Sequence, residues 1–248
     1  MRLDSAGQSH IGRRQHNEDA YCVLPELGLF VVADGLGGQE GGEVASRCVV
    51  DTFAGFGLRL GQDRDSTWPT VPDPGRSREE NLLSACSALA QRNLQAQRVG
   101  RLREMASTVV ALAVGEHGAA VAHVGDSRLY RLRGGTLEAL TRDHSLIEEL
   151  REAGMSPPGG PGNLRHLITR ALGTDNAEPT VQRLQTEPGD VFLLCSDGLY
   201  EPLGMEGLMR RMTLSSAREA CDALVADAYE AGGKDNITAV VLRVPQAV

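Results

Sequence analysis

The chain has 248 residues, enough for one large domain or two small ones, and its 41% hydrophobic content is ordinary for a globular fold. A net charge of −8 argues against a surface built for nucleic-acid backbones, which needs clustered Lys and Arg. Five scattered cysteines (Cys22, Cys48, Cys86, Cys195, Cys221) with no CxxC spacing argue against a disulfide framework or zinc site and for a reducing compartment. No apolar run suits a signal peptide or reaches membrane-spanning length, so the sequence predicts a soluble cytoplasmic protein that inserts in no membrane.

In chain order, "AYCVLPELGLFVVAD" reads as two short strands around a Pro-Glu-Leu-Gly turn, the second ending at Asp34. Residues Glu43 to Phe56 are apolar at helical spacing. Arg59 to Ser77, rich in Asp, Pro, Gly and Ser and carrying the only tryptophan, reads as an exposed loop. Arg78 to Val99 predicts a longer amphipathic helix. Strands follow at "STVVALAV", "AAVAHVG" and "SRLYRLRGG", and the Gly-Gly of "RLRGGTLEAL" signals a hairpin. Ser145 opens "SLIEELREAG", where Glu148 completes an S-x-x-E capping pattern. "MSPPGGPGN" excludes regular structure, and strands are predicted at Thr180 to Leu184 and Val191 to Cys195. A helix over Ser216 to Ala231 and a strand over Ile237 to Val244 complete the list. The pattern predicts an α+β fold in a single domain over 1–248, with mainly antiparallel sheets packed together and helices outside.

The carboxylates recur in one context. "LFVVADGLGG" delivers Asp34, "AAVAHVGDSR" delivers Asp126 and "DVFLLCSDGL" delivers Asp197, each where an apolar strand runs out beside Gly or Ser. "GGKDNITAVVL" places Asp235 just ahead of a strand, and "RRQHNEDAY" adds the pair Glu18 and Asp19 behind two arginines. One such Asp is usually a turn former or helix cap. Several in similar contexts predict converging strand ends, and a cluster of that kind cannot stay ionised without cations. Ligands that are all oxygen select a hard ion, Mg²⁺ or Mn²⁺. Gly35, Gly37 and Gly38 would let backbone carbonyls and water approach it.

Taken in order, "NEDA", "VVADGLGG", "STVVALAV", "GDSRLYRL", "LTRDHSL", "ITRALG", "LLCSDGL" and "KDNITAVVL" resemble the metal-dependent protein Ser/Thr phosphatases of type 2C, in their bacterial branch. The resemblance implies a β-sandwich of two mainly antiparallel sheets flanked by pairs of helices. It implies two Mn²⁺ or Mg²⁺ ions and a third, weaker one. Asp34 matches the carboxylate bridging two metals, with the Gly35 carbonyl on one, while Asp197 and Asp235 match ligands of the other. Glu18 and Asp19 match the pair that holds metal-bound water, and Asp126 matches a ligand of the third ion. Arg14 matches the arginine that grips phosphate, with Arg13 as the alternative, and Asp143 fits a supporting position. Met155 to His166, within a segment around 145–172, falls where bacterial members carry a flap.

The implied activity is hydrolysis of phosphoserine and phosphothreonine on proteins by a metal-activated water, opposing a bacterial Ser/Thr kinase. The other reading kept open is a catalytically weak, phosphatase-like regulatory module. A two-metal nuclease would show basic character, which −8 does not supply. One departure stands out. Relatives often carry a histidine in or just after the D-G-x-G-G loop, a donor for the leaving serine oxygen, whereas this chain has Leu36 and Gln39. His144, His16 or a water on the metals would have to replace it.

Overall fold

The computed structural model describes residues 3–37, 41–62, 67–116, 118–156, 164 and 167–246. The elements are β1 (Asp4–His10), β2 (Asp19–Leu24), β3 (Leu29–Leu36), α1 (Gly41–Gln62), α2 (Arg78–Gln97), β4 (Ala106–Ser107), β5 (Val109–Gly115), β6 (Gly118–Val124), β7 (Arg128–Arg133) and β8 (Thr136–Ala139). They continue with α3 (Leu146–Glu152), β9 (Thr180–Leu184), β10 (Val191–Cys195), α4 (Asp197–Met212), α5 (Ala217–Glu230) and β11 (Ile237–Arg243). One sheet runs β1-β11-β10-β7-β8 and the other β2-β3-β5-β6-β9, with β4 appended to β3; every described pairing is antiparallel.

Strand alternation divides the apolar residues among three layers. In β3, Phe30 and Val32 point between the sheets, while Leu29, Val31 and Ala33 point toward α1 and α2. In β10, Phe192 and Leu194 meet them from the opposite sheet, while Val191, Leu193 and Cys195 face α4 and α5. Both faces of these strands are covered, which is why they read as unbroken apolar runs. The result is an α+β sandwich with one helix pair on each outer face. No described helix is long and apolar enough to cross a membrane.

Several expectations need correcting. The first helix is longer than its apolar pattern, taking in residues assigned to the following loop as far as Gln62. In the rest of that loop Trp68 is held edge-on against Phe56, with ring centroids 5.7 Å apart. At α3, Ser145 makes no side-chain cap bond. Glu148 is drawn instead to Arg142 and Arg151, and the Leu146 N–H donates to the Leu167 carbonyl. A capping box does form at α2, where Ser77 Oγ accepts from the Glu80 N–H at 3.1 Å and Glu80 Oε2 from the Ser77 N–H at 2.8 Å. Two elements were not predicted, β1 and α4.

Candidate metal centre

The β2–β3 hairpin sets Asp19 directly opposite Asp34 across the ladder. Like charges in that relation repel, so the pairing needs compensation. The neighbouring strands β10 and β11 bring the other carboxylates: Asp197 opens α4 two residues after the end of β10, and Asp235 lies just before β11. Asp126 follows the end of β6. The glycines of both D-G pairs have a steric reason that was not foreseen. A Cβ on Gly35 would lie 1.9 Å from the Gly42 carbonyl oxygen, and one on Gly198 2.0 Å from that of Asn236. These contacts let α1 and the turn before β11 close on the aspartates.

Four of the carboxylates are shifted by burial and by their neighbours. Burial raises Asp34 well above the usual carboxylate range, and Asp19, Asp197, Asp126 and Asp235 push it further. Burial drives Asp19 up to about 7, with Asp197 and Asp235 adding to the rise and hydrogen bonds from Thr238 and Ser196 opposing it. Asp126 is also raised to about 7, by burial and then by Asp197 and Asp143. Glu18 is raised by burial, with Arg14 acting against the shift.

Asp19 gives a direct test of whether cations fit here. Its Oδ2 accepts from Ser196 Oγ at 2.7 Å and Thr238 Oγ1 at 2.6 Å. Its Oδ1 is buried and has no hydrogen-bond partner among the described residues. An acceptor left in that state is costly unless a cation or its water meets it. Among the described residues, no three Asp, Glu, His or Cys side chains are gathered closely enough to hold an ion by themselves. The available donors are carboxylate and carbonyl oxygens, a set that suits a hard ion able to keep part of its hydration.

Arg14 reaches the cluster. Its Nη2 donates to Asp235 Oδ2 at 2.6 Å and its Nε to the Lys234 carbonyl at 3.2 Å. Arg13 turns away, with its guanidinium 5.8 Å from the centre of the Tyr229 ring. Asp143 binds Arg128 through two bonds of 2.8 and 2.7 Å, Arg128 lies over the Tyr200 ring, and the Tyr200 hydroxyl donates to the Asp126 carbonyl. The contact of Asp143 with the cluster is thus indirect. Gln39 and most of the Met155 to His166 segment lie outside the described residues.

His144 is poorly placed as an acid. Its Nδ1 accepts from the Gly125 N–H at 3.2 Å and its Nε2 is 2.9 Å from Thr180 Oγ1. Burial, the stacked His123 and Arg170 push it down to about 3. The cysteines are all free, and burial raises Cys86, Cys195 and Cys221 above the ordinary thiol range, as expected of packing groups rather than nucleophiles.

Sequence reasoning missed Asn236. Its Oδ1 accepts from the Glu18 N–H at 2.8 Å, and its Nδ2 donates to the carbonyls of Ile11 and His16, both at 2.9 Å. One buried amide thus ties the turn bearing Asp235, just before β11, to the segment bearing Arg14 and Glu18. Asn236→Ala leaves three backbone groups without this partner and should cost about 2–4 kcal/mol. Urea unfolding would show this as a lower midpoint with an unchanged slope.

Comparison with known proteins bears on the family and the fold. A family model described as protein phosphatase 2C matches residues 6–227. The chain belongs to the protein phosphatase 2C family. It is 33% identical over 234 residues to the Mycobacterium tuberculosis serine/threonine protein phosphatase PstP, a match covering 92% of this chain and 42% of PstP. The chain thus spans less than half the length of that phosphatase. A Listeria monocytogenes serine/threonine phosphatase, stp, is 31% identical, with 92% of this chain and 90% of that protein covered. Among solved phosphatase structures, the catalytic domain of PstP in complex with two manganese ions matches with a TM-score of 0.83 and 31% identity, covering 98% of this chain and 99% of that one. PppA of Pseudomonas aeruginosa, described as a key regulatory component of a type VI secretion system, matches at 0.79 with 35% identity and 98% coverage of both chains.

Proposed function

We propose that this chain is a metal-dependent phosphatase acting on phosphoserine and phosphothreonine in proteins. The observation that carries the reading is the convergence of Asp19, Asp34, Asp197 and Asp235 on one end of the sandwich, with Arg14 at its rim. In this reading Asp34 and the Gly35 carbonyl, with Asp197 and Asp235, would hold two Mn²⁺ or Mg²⁺ ions. Asp126 would serve a third, and Glu18 and Asp19 would hold water beside them. Such ions, when bound, supply an activated water and offset charge on the phosphoryl oxygens.

The chain's own groups do the rest. Asp19, fixed by Ser196 and Thr238 through one oxygen, keeps the other without a partner among the described residues, so that it would be the oxygen to hold such a water. Arg14 holds the phosphoryl group through its planar fork, and its grip on Asp235 and the Lys234 carbonyl sets the fork's direction. Its partners are phosphoproteins, among them a Ser/Thr kinase of the same cell and its targets. The cytoplasm suits the five free thiols.

The test is Mn²⁺-dependent hydrolysis of nitrophenyl phosphate and a phosphothreonine peptide, with bis-nitrophenyl phosphate as the diester control. Turnover that survives chelation, or preference for the diester, would overturn the proposal. Arg14→Ala should raise KM by about 10- to 100-fold, the worth of a charge-assisted pair, with a smaller change in kcat. Arg14→Lys should recover only part of the loss, since a point charge does not reproduce the fork. A larger effect from Arg13→Ala would move the role one position along.

A further inference from the structure

Arg14 is not the only cation brought to this rim. The segment after β1 lies against the turn before β11: the Arg13 N–H donates to the Gly233 carbonyl at 2.7 Å, and Arg14 Nε to the Lys234 carbonyl. Gly12 permits the approach, because at φ +65° a Cβ there would lie 2.0 Å from the Asp235 carbonyl oxygen. One backbone bond and one side-chain-to-backbone bond therefore hold positions 13 and 14 beside positions 233 and 234. Arg14 is paired with Asp235, whereas Arg13 and Lys234 are exposed and make no ion pair among the described residues. The Tyr229 ring steadies Arg13 without cancelling its charge. Lys234 is the single lysine of a chain whose other 24 basic residues are all arginine.

We propose that Arg13 and Lys234 select substrates carrying an anionic side chain, a carboxylate or a second phosphate, close in sequence to the phosphoresidue. The inference rests on the phosphatase reading and names the class of phosphoprotein that the site prefers. Once Arg14 holds the phosphoryl group, neighbouring substrate residues follow at about 3.5 Å per position, so those one or two away pass these two cations. The chain as a whole is acidic at −8 and repels anionic segments in general. A local pair of unneutralised cations at the point of entry therefore discriminates more than it would on a basic protein. Each exposed contact is worth about two- to fivefold, and the effect is screened by salt.

The experiment compares kcat/KM, with Mn²⁺ at low ionic strength, on three phosphothreonine peptides. Their flanks carry glutamine, glutamate or a second phosphothreonine. The wild type should favour the anionic flanks by about 4- to 25-fold, two contacts' worth. Lys234→Met and Arg13→Met should each remove about two- to fivefold of that preference, and Lys234→Glu should turn it against anionic flanks. Nitrophenyl phosphate, which has no flank, should change by less than roughly twofold, within the range of an exposed substitution. Preference for only one of the two anionic peptides supports the proposal and identifies the ligand as carboxylate or phosphate. Equal kcat/KM on all three peptides, or a preference that survives in the Arg13→Met/Lys234→Met double variant, would overturn it. Wild-type protein inert toward nitrophenyl phosphate would instead overturn the phosphatase reading beneath it.

Discussion

Asp34→Asn should abolish turnover and yet raise the thermal midpoint of the metal-free protein. The loss of activity should exceed the roughly 100-fold typical of removing a residue that merely orients a ligand. Asp34 stands opposite Asp19 and within the field of Asp126, Asp197 and Asp235, so its charge is the centre's attraction for divalent ions and also its internal strain. An isosteric amide removes both. Asp197→Asn should behave in the same way, because Asp197 raises Asp19, Asp34 and Asp126 alike. Full activity in either variant after metal stripping and return of Mn²⁺ would contradict the assignment, as would a lower midpoint for both without metal.

The same strain sets a pH dependence. Asp19 and Asp126 are raised from an ordinary 3.8 to about 7, so the folded state binds their protons more tightly than the unfolded chain does. The stability they contribute is fully present below about pH 4 and is lost as pH rises through about 7. In chelator, unfolding midpoints should therefore fall between pH 5.5 and 8 by an amount on the order of a few kcal/mol. Saturating Mn²⁺ should flatten that slope, since the cation takes over the role of the protons. A slope unchanged by metal would separate the carboxylate cluster from metal binding.

What could be read in advance follows from how each element is held. Strands β3, β5, β10 and β11 are buried on both faces and announce themselves as apolar runs, two of them (β3 and β10) closing near a carboxylate and β11 opening just after one. Strand β1, "DSAGQSH", has no such pattern; it exists because its backbone pairs along β11 from Asp4↔Arg243 to His10↔Ile237. Helix α4 was hidden by Pro202 and Gly204, and the chain does kink there, with Gly204 at φ 58°. The S-x-x-E pattern occurs at both Ser77 and Ser145, and tertiary partners decide which becomes a capping box. Residues that end strands in charge were legible. Asn236, Ser196 and Thr238 were not, because their partners lie about 40 to 220 positions away in sequence, where local pattern carries no signal.

The departure at Leu36 and Gln39 leads to the other large effect. Nitrophenolate leaves readily without a proton, whereas a serine alkoxide is far more basic and needs one as the P–O bond breaks. General acid help is typically worth about 100- to 10,000-fold. Leu36 ends β3 and offers no proton. His144 is held neutral, with its lone pair committed to the Gly125 N–H, so His144→Ala should leave the ratio of phosphopeptide to nitrophenyl phosphate rates unchanged. His16 remains, since it lies close enough to Glu18 to lower that residue's pKa and its carbonyl is fixed by Asn236. If His16 donates the proton, His16→Ala should lower the phosphopeptide rate alone and leave the nitrophenyl rate unchanged. If no side chain does, Gln39→His should raise the phosphopeptide rate toward that of a relative with the loop histidine and leave the nitrophenyl rate nearly constant. A ratio indifferent to both substitutions would assign the proton to solvent at the metal centre, and the histidine absent from the loop would then have no catalytic consequence in this chain.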